Sequence, residues 1–283
     1  MWLRPLLLTM LALAAPAFSA RAAERTAPVA LAIVNPGGPD AGSEGDKLAA
    51  ELAAHLGASA GIEPAQIEAA YFNQLPAAAT YLKKHKDAFV LGGLGVFLAQ
   101  RQARKLVPLA RLVGAGGSDE EFTVVVRKGR YGSLDELRGK ALQGSVLADD
   151  ARFVDRFVFG GKLTASKHFR CTPTERPLSA LRKLGADEVD AVLLNRAQFE
   201  ALKAMPLFEK LEVVHRSGPV PTVGLMMAAT PRTRALKDRI VQSVSKLCGT
   251  EQGAPVCKTY GITGFAPMAE DALGEAVKTY DKR

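Results

Sequence analysis

"ALQGSVLADDARFVDRFVF", residues 141–159, decides how the chain is read. Ala141 and Leu142 end a short β-like run, Gly144-Ser145 makes a turn, and an amphipathic helical pattern follows. Phe153, Val154, Phe157 and Val158 fall on one side of that helix. A strand that turns into a helix offers free backbone N–H groups at the helix opening, where small anions bind. Two acids, Asp149 and Asp150, occupy this opening. Either one serves as N-cap for a helix from Ala151 and satisfies those N–H groups itself.

Upstream, "EFTVVVRKG" (121–129) reads as a strand, and "SLDELRGK" follows it. Ser133 and Glu136 are spaced as a capping box for a short helix that Gly139 ends. Downstream come a strand in "HFRCT", a helix over 178–184, the strand "EVDAVLLN" and a helix over 196–202. The first part of the chain repeats this grammar. "VALAIVN" ends at Pro36-Gly37-Gly38, a helix over 46–56 follows, then "IEAAYF", a helix over 75–86, and "DAFVLGGLG" running into another helix. Strands alternating with helices predict a parallel α/β sheet. "LEVVHRSGPVP" and "TVGLMMAA" are two later strand-like runs, and a long helix spans 231–247. Two βα sets followed by a return predict two lobes joined by two crossing strands. Ligands in such sheets bind beyond the carboxyl ends of the strands, here after Asn35, Leu91, Leu142 and Leu194.

The chain has 283 residues and a formal charge of +8. Arg4, the apolar run Leu6 to Ala15 and the small residues around Ala20-Arg21-Ala22 form an export signal. The cut falls after Ala22, with Ala17-Phe18-Ser19 as the alternative. The apolar run is shorter than the ~20 residues of a membrane span. The basic residues are scattered and lack aromatic interleaving, which argues against a nucleic-acid partner. Cys248 and Cys257 flank a Gly- and Pro-rich segment and predict a local disulfide in an oxidising compartment. Cys171 is left over. The four histidines are isolated, so no metal site is read, and there is no cofactor fingerprint, catalytic triad or nucleophile elbow. The chain is therefore read as a non-enzyme without cofactors.

"EFTVVVRKGRYGSLDELRGKALQGSVLADDARFVDRFV" resembles the middle of a type 2 periplasmic solute-binding protein. "LRKLGADEVDAVLLNRAQFEAL", "VVHRSGPVPTVGLMM" and "YGITGFAPMAEDAL" are similar to that family's later strand and helix, its crossover and its tail. The subgroup most resembled is the phosphate- and phosphonate-type binding component of ABC importers. The resemblance implies a two-lobed Venus-flytrap α/β fold. Residues 1–22 would be the signal, 23–120 the first part of lobe 1, 121–216 lobe 2, and 217–283 the return to lobe 1. It also implies a periplasmic monomer that captures a small anion and hands it to an inner-membrane ABC permease. An exported sensor of the same fold, or an enzyme built on it, are the alternatives. The site residues carried over are Asn35, Gly93 and Leu94 from lobe 1, with Ser145, Val146, Asp149 and Asn195 from lobe 2. Ser145 is either a hydroxyl donor or an ordinary turn residue. Relatives carry several Ser and Thr residues in this turn, and here only Ser145 matches.

Overall fold

The computed structural model describes residues 28–39, 42–259 and 261–282. The proposed export signal lies outside them. The chain opens with β1 (Val29–Val34), α1 (Ser43–Ala60), β2 (Ile67–Phe72), α2 (Leu75–Lys84), β3 (Ala88–Gly92) and α3 (Leu94–Arg104). Then come β4 (Leu106–Gly114) and the short β5 (Asp119–Glu120). The middle holds β6 (Thr123–Arg127), β7 (Ala141–Gly144), α4 (Ala151–Phe153), α5 (Ala165–His168), β8 (Arg170–Pro173), α6 (Pro177–Gly185), β9 (Ala191–Leu194), α7 (Arg196–Lys203) and β10 (Leu211–Arg216). The return consists of β11 (Val220–Pro221), β12 (Leu225–Ala228), α8 (Pro231–Lys246), α9 (Gly253–Thr259), β13 (Ile262–Pro267) and α10 (Gly274–Asp281).

These strands form two large sheets and a two-stranded one. The sheet of lobe 1 has the order β13-β4-β12-β3-β1-β2, and that of lobe 2 the order β10-β6-β9-β7-β8. β1 pairs parallel with β2 and β3, and β7 pairs parallel with β8 and β9. These are the pairings that βα units impose. β5 and β11 pair antiparallel where the chain leaves the first sheet and returns to it. They are the two crossing segments.

Alternation along the strands divides the core. In β1, Val29, Leu31 and Ile33 join a cluster with α1 and α8, while Ala30, Ala32 and Val34 face the opposite way. In β6, Val125 packs with α6 and α7, while Val124 and Val126 face away from them. Side chains two apart share a face, so each sheet is covered on both sides. The faces bearing Ala30 and Val124 belong to one hydrophobic cluster, with Phe97 of α3, Phe153 of α4 and Tyr280 of α10 in it. The lobes thus share apolar packing.

The helix read through Val158 is α-helical only over Ala151–Phe153 and continues as a π-helix over Val154–Val158. Three further departures from the sequence reading bear on the fold. β4 has no counterpart there, because Pro108 and Arg111 interrupt its apolar pattern. Pro108 sits at a shift in register, opposite Met226, so the ladder tolerates its missing N–H. Ser133 is not a cap: Asp135–Leu137 is a single 3₁₀ turn without a side-chain cap, and Ser133 Oγ instead donates to Glu136 Oε1 at 3.4 Å. The Cys248–Cys257 disulfide is present, with its Cα atoms 5.5 Å apart, but the segment between the cysteines is partly helical rather than a plain turn. Closing this short loop contributes about 2.5 to 3 kcal/mol on the chain-entropy model. Cys171 is free and half-buried, and burial pushes its thiol pKa up.

Candidate functional site

The carboxyl ends of β1, β3, β7 and β9 carry the turns singled out in the sequence. In the turn after β1, Asn35 Nδ2 donates to Tyr71 Oη at 3.5 Å, and the Asn35 carbonyl accepts from Gly38 N at 2.9 Å. The Asn35 side chain is thus held against β2, while its backbone closes the turn. Gly37 of this turn has φ +70°, and a Cβ there would overlap the carbonyl oxygen of Ser145 in lobe 2. Only glycine gives both that backbone conformation and that closeness.

After β3, α3 opens at Gly93 with no side-chain cap. Phe97 N closes the first turn on Gly93 O, which leaves the N–H groups of Leu94, Gly95 and Val96 without intrahelical acceptors. The Leu94 and Val96 side chains are buried in the core, so Leu94 offers the cleft only its backbone. A Cβ on Gly95 would overlap the carboxyl group of Asp149. A lobe 2 carboxylate thus lies against the positive end of a lobe 1 helix dipole.

In lobe 2 a 3₁₀ turn, Ser145–Ala148, separates β7 from α4. Val146 is half-buried and accepts from Asp149 N through its carbonyl at 3.0 Å. Asp150, rather than Asp149, is the N-cap: its Oδ1 accepts from Phe153 N at 3.0 Å. Asp149 Oδ1 accepts from Asp150 N at 2.7 Å. Burial pushes the Asp149 carboxyl up to about 7, opposed by the Asp150 N–H and reinforced by the Asp150 charge.

After β9, Asn195 and Gln198 form a reciprocal capping box on α7, and Gln198 Nε2 donates to Ser145 Oγ at 3.1 Å. The Asn195 carboxamide is therefore committed to its own helix and links to Ser145 through Gln198. Glu120, in crossing strand β5, accepts from Arg196 N at 2.8 Å and from Glu121 N at 2.9 Å. Burial raises its pKa while those N–H groups lower it. Arg196 Nη1 donates to the Gly116 carbonyl of lobe 1 at 3.3 Å, and its buried Nε makes no hydrogen bond. Asn73 of lobe 1 donates to Glu175 Oε1 of lobe 2 at 3.1 Å.

The structure therefore gathers Gly37 with Ser145, Gly95 with Asp149, and Asn195 with Ser145 through Gln198. Asn35 stays within lobe 1, on Tyr71 of β2. Sequence reasoning missed Glu120, Arg196 and Gln198. The spacing of Asn195 and Gln198 is a capping-box signal, so Gln198 was readable in principle. Nothing local marks Glu120, whose role depends on the fold bringing β5 to α7.

Residues 42–273 match the family model described as ABC transporter, phosphonate, periplasmic substrate-binding protein. Among curated proteins no match is found. A solved Xanthomonas citri protein bound to chloride ion is similar at 18% identity and a TM-score of 0.67, over 89% of this chain and 97% of that one. The binding protein component of an ABC phosphonate transporter from Pseudomonas aeruginosa is similar at 13% identity and a TM-score of 0.65, over 90% and 86%. PhnD1 from Prochlorococcus marinus, in complex with methylphosphonate, is similar at 13% identity and a TM-score of 0.62, over 88% and 97%. These likenesses show the two-lobed type 2 fold.

Proposed function

The chain belongs to the phosphonate-type periplasmic substrate-binding proteins of ABC transporters, and from that premise we propose that it captures a small phosphonate- or phosphate-like anion between its lobes. One observation carries the reading. The Asp149 carboxyl group already places oxygen acceptors from lobe 2 against the uncapped opening of α3 in lobe 1. The free N–H groups of Leu94, Gly95 and Val96, with the helix dipole behind them, suit the oxygens of a small anion. The ligand takes that place, and the carboxyl group of Asp149 withdraws or, when protonated, donates a hydrogen bond to it. Ser145 Oγ and Val146 offer contacts from lobe 2, Gly93 lets the ligand approach the α3 backbone, and Asn35 and Asn195 hold the turns around it.

Residues 121–216 swing against the rest of the chain about β5 and β11. Closure follows from the ligand's stronger contacts in the closed arrangement. The mature, exported monomer then delivers the ligand to an ABC permease in the inner membrane. A thermal-shift screen over phosphate, phosphite, methylphosphonate, sulfonates and carboxylates tests this role. A ligand that binds only the folded chain raises its melting temperature. We expect a dose-dependent rise with at least one phosphorus oxyanion. No rise with any of them, alongside a rise with a carboxylate, would replace the ligand class.

A further inference from the structure

The last helix lies where the two lobes meet. α10 follows β13 of the lobe 1 sheet, and Leu273, Ala276 and Tyr280 are buried in the hydrophobic cluster shared by both lobes. Its final turn bonds in two directions. Toward lobe 1, Arg101 Nη2 of α3 donates to both carboxylate oxygens of Asp281, at 2.5 and 2.6 Å. Arg101 is 9% exposed and Asp281 43%, so the pair is anchored on its α3 side, with both carboxylate oxygens held by one guanidinium. Toward lobe 2, Tyr280 Oη donates to Asp150 Oδ1 at 2.8 Å, on the same oxygen that caps α4. Arg156 Nη2 donates to the Lys282 carbonyl at 2.8 Å. The guanidinium groups of Arg101 and Arg152 both lie over the Tyr280 ring, at 5.2 and 5.3 Å from its centroid.

We propose that α10 is a strap that holds the two lobes together and sets the fraction of molecules open to ligand. The covalent link to β13 and the Arg101–Asp281 pair fix the strap to lobe 1. Opening about β5 and β11 must therefore break its bonds to lobe 2. Those bonds are the Tyr280–Asp150 hydrogen bond, the Arg152–Tyr280 contact and the Arg156–Lys282 hydrogen bond. Each opposes opening whatever the ligand is. Ligand enters the open arrangement, so the strap slows capture and also slows release.

The strap bears on the proposed cleft only as its regulator, and its test is separable from the ligand's identity. Small-angle scattering of the mature protein, with no ligand added, compares wild type with Tyr280→Phe/Arg156→Ala and with Asp281→Asn. The first variant keeps the buried ring and the α4 cap but loses two bonds to lobe 2; the second loosens the anchor on lobe 1. Both should increase the radius of gyration while keeping a cooperative melt. Stopped-flow association of methylphosphonate should accelerate by roughly tenfold, the factor that one charge-assisted hydrogen bond is worth. Unchanged scattering in both variants would overturn the strap, as would loss of the cooperative melt, which would make these residues core packing. Larger radii without methylphosphonate binding would support the strap and count against the proposed ligand.

Discussion

In lobe 2, both helices that open onto the cleft are closed from within. Asp150 caps α4, and Asn195 with Gln198 caps α7, whose first N–H group also goes to Glu120 of the crossing strand. In lobe 1, α3 opens on Gly93 with no side-chain cap, and the group lying against its first turn is Asp149 of the opposite lobe. Capped openings are satisfied in every arrangement of the lobes. An uncapped opening is satisfied only by what comes across the cleft. In the proposed function this difference makes lobe 1 the receiving side and Asp149 the lobe 2 group that faces it. Asp149 is costly to bury as an anion, and burial moves its pKa toward neutrality.

The comparison breaks most readily at the contact between the two turns. Gly37→Val puts a β-branched residue at φ +70° and a Cβ into the Ser145 carbonyl. We expect a loss of roughly 3 kcal/mol or more, measured by chemical denaturation, together with lobes that no longer close. Asp149→Asn sharpens the comparison through pH. Its folded pKa is raised to about 7, so the native state binds a proton that the unfolded chain has already lost. The native chain then loses stability as pH rises from about 4 to about 7, relative to the variant, and the difference vanishes in acid. The gain at neutral pH should be about 1–2 kcal/mol, below the full shift because opening re-exposes the carboxylate to water. Thermal melts across that range check it. Asn195→Ala removes a cap and should cost about 1 kcal/mol at every pH, measured by denaturant titration. Gly95→Ala should change stability least. Alanine favours the helix by up to ~1 kcal/mol, offset by displacing Asp149, whose pKa should then fall toward the ordinary carboxylate range in a proton-detected titration.

Much of the fold was legible because strand and helix periods are local. The run Val29 to Asn35 and the run ending at Asn195 show their strands without any tertiary information. β4 was not legible, since Pro108 and Arg111 disguise a strand that only pairing with β12 and β13 explains. The site was legible as a set of turns but not as a set of contacts. Gly37 reads as a turn glycine, and nothing near it in the chain points to Ser145. Asp149 and Asp150 read alike, and their roles separate only where α3 and α10 approach them: Asp150 faces Phe153 and Tyr280, and Asp149 faces Gly95. Long-range partners, including Glu120 for Arg196 and Asp281 for Arg101, carry no local signal.

In the proposed function a small phosphorus oxyanion binds at the opening of α3 between the lobes. Calorimetric titration of methylphosphonate into the mature protein, alongside Gly95→Val, tests it most directly. Saturable one-to-one binding to the native chain is expected, with its loss when a branched side chain fills the opening. Equal affinity in both proteins would contradict it.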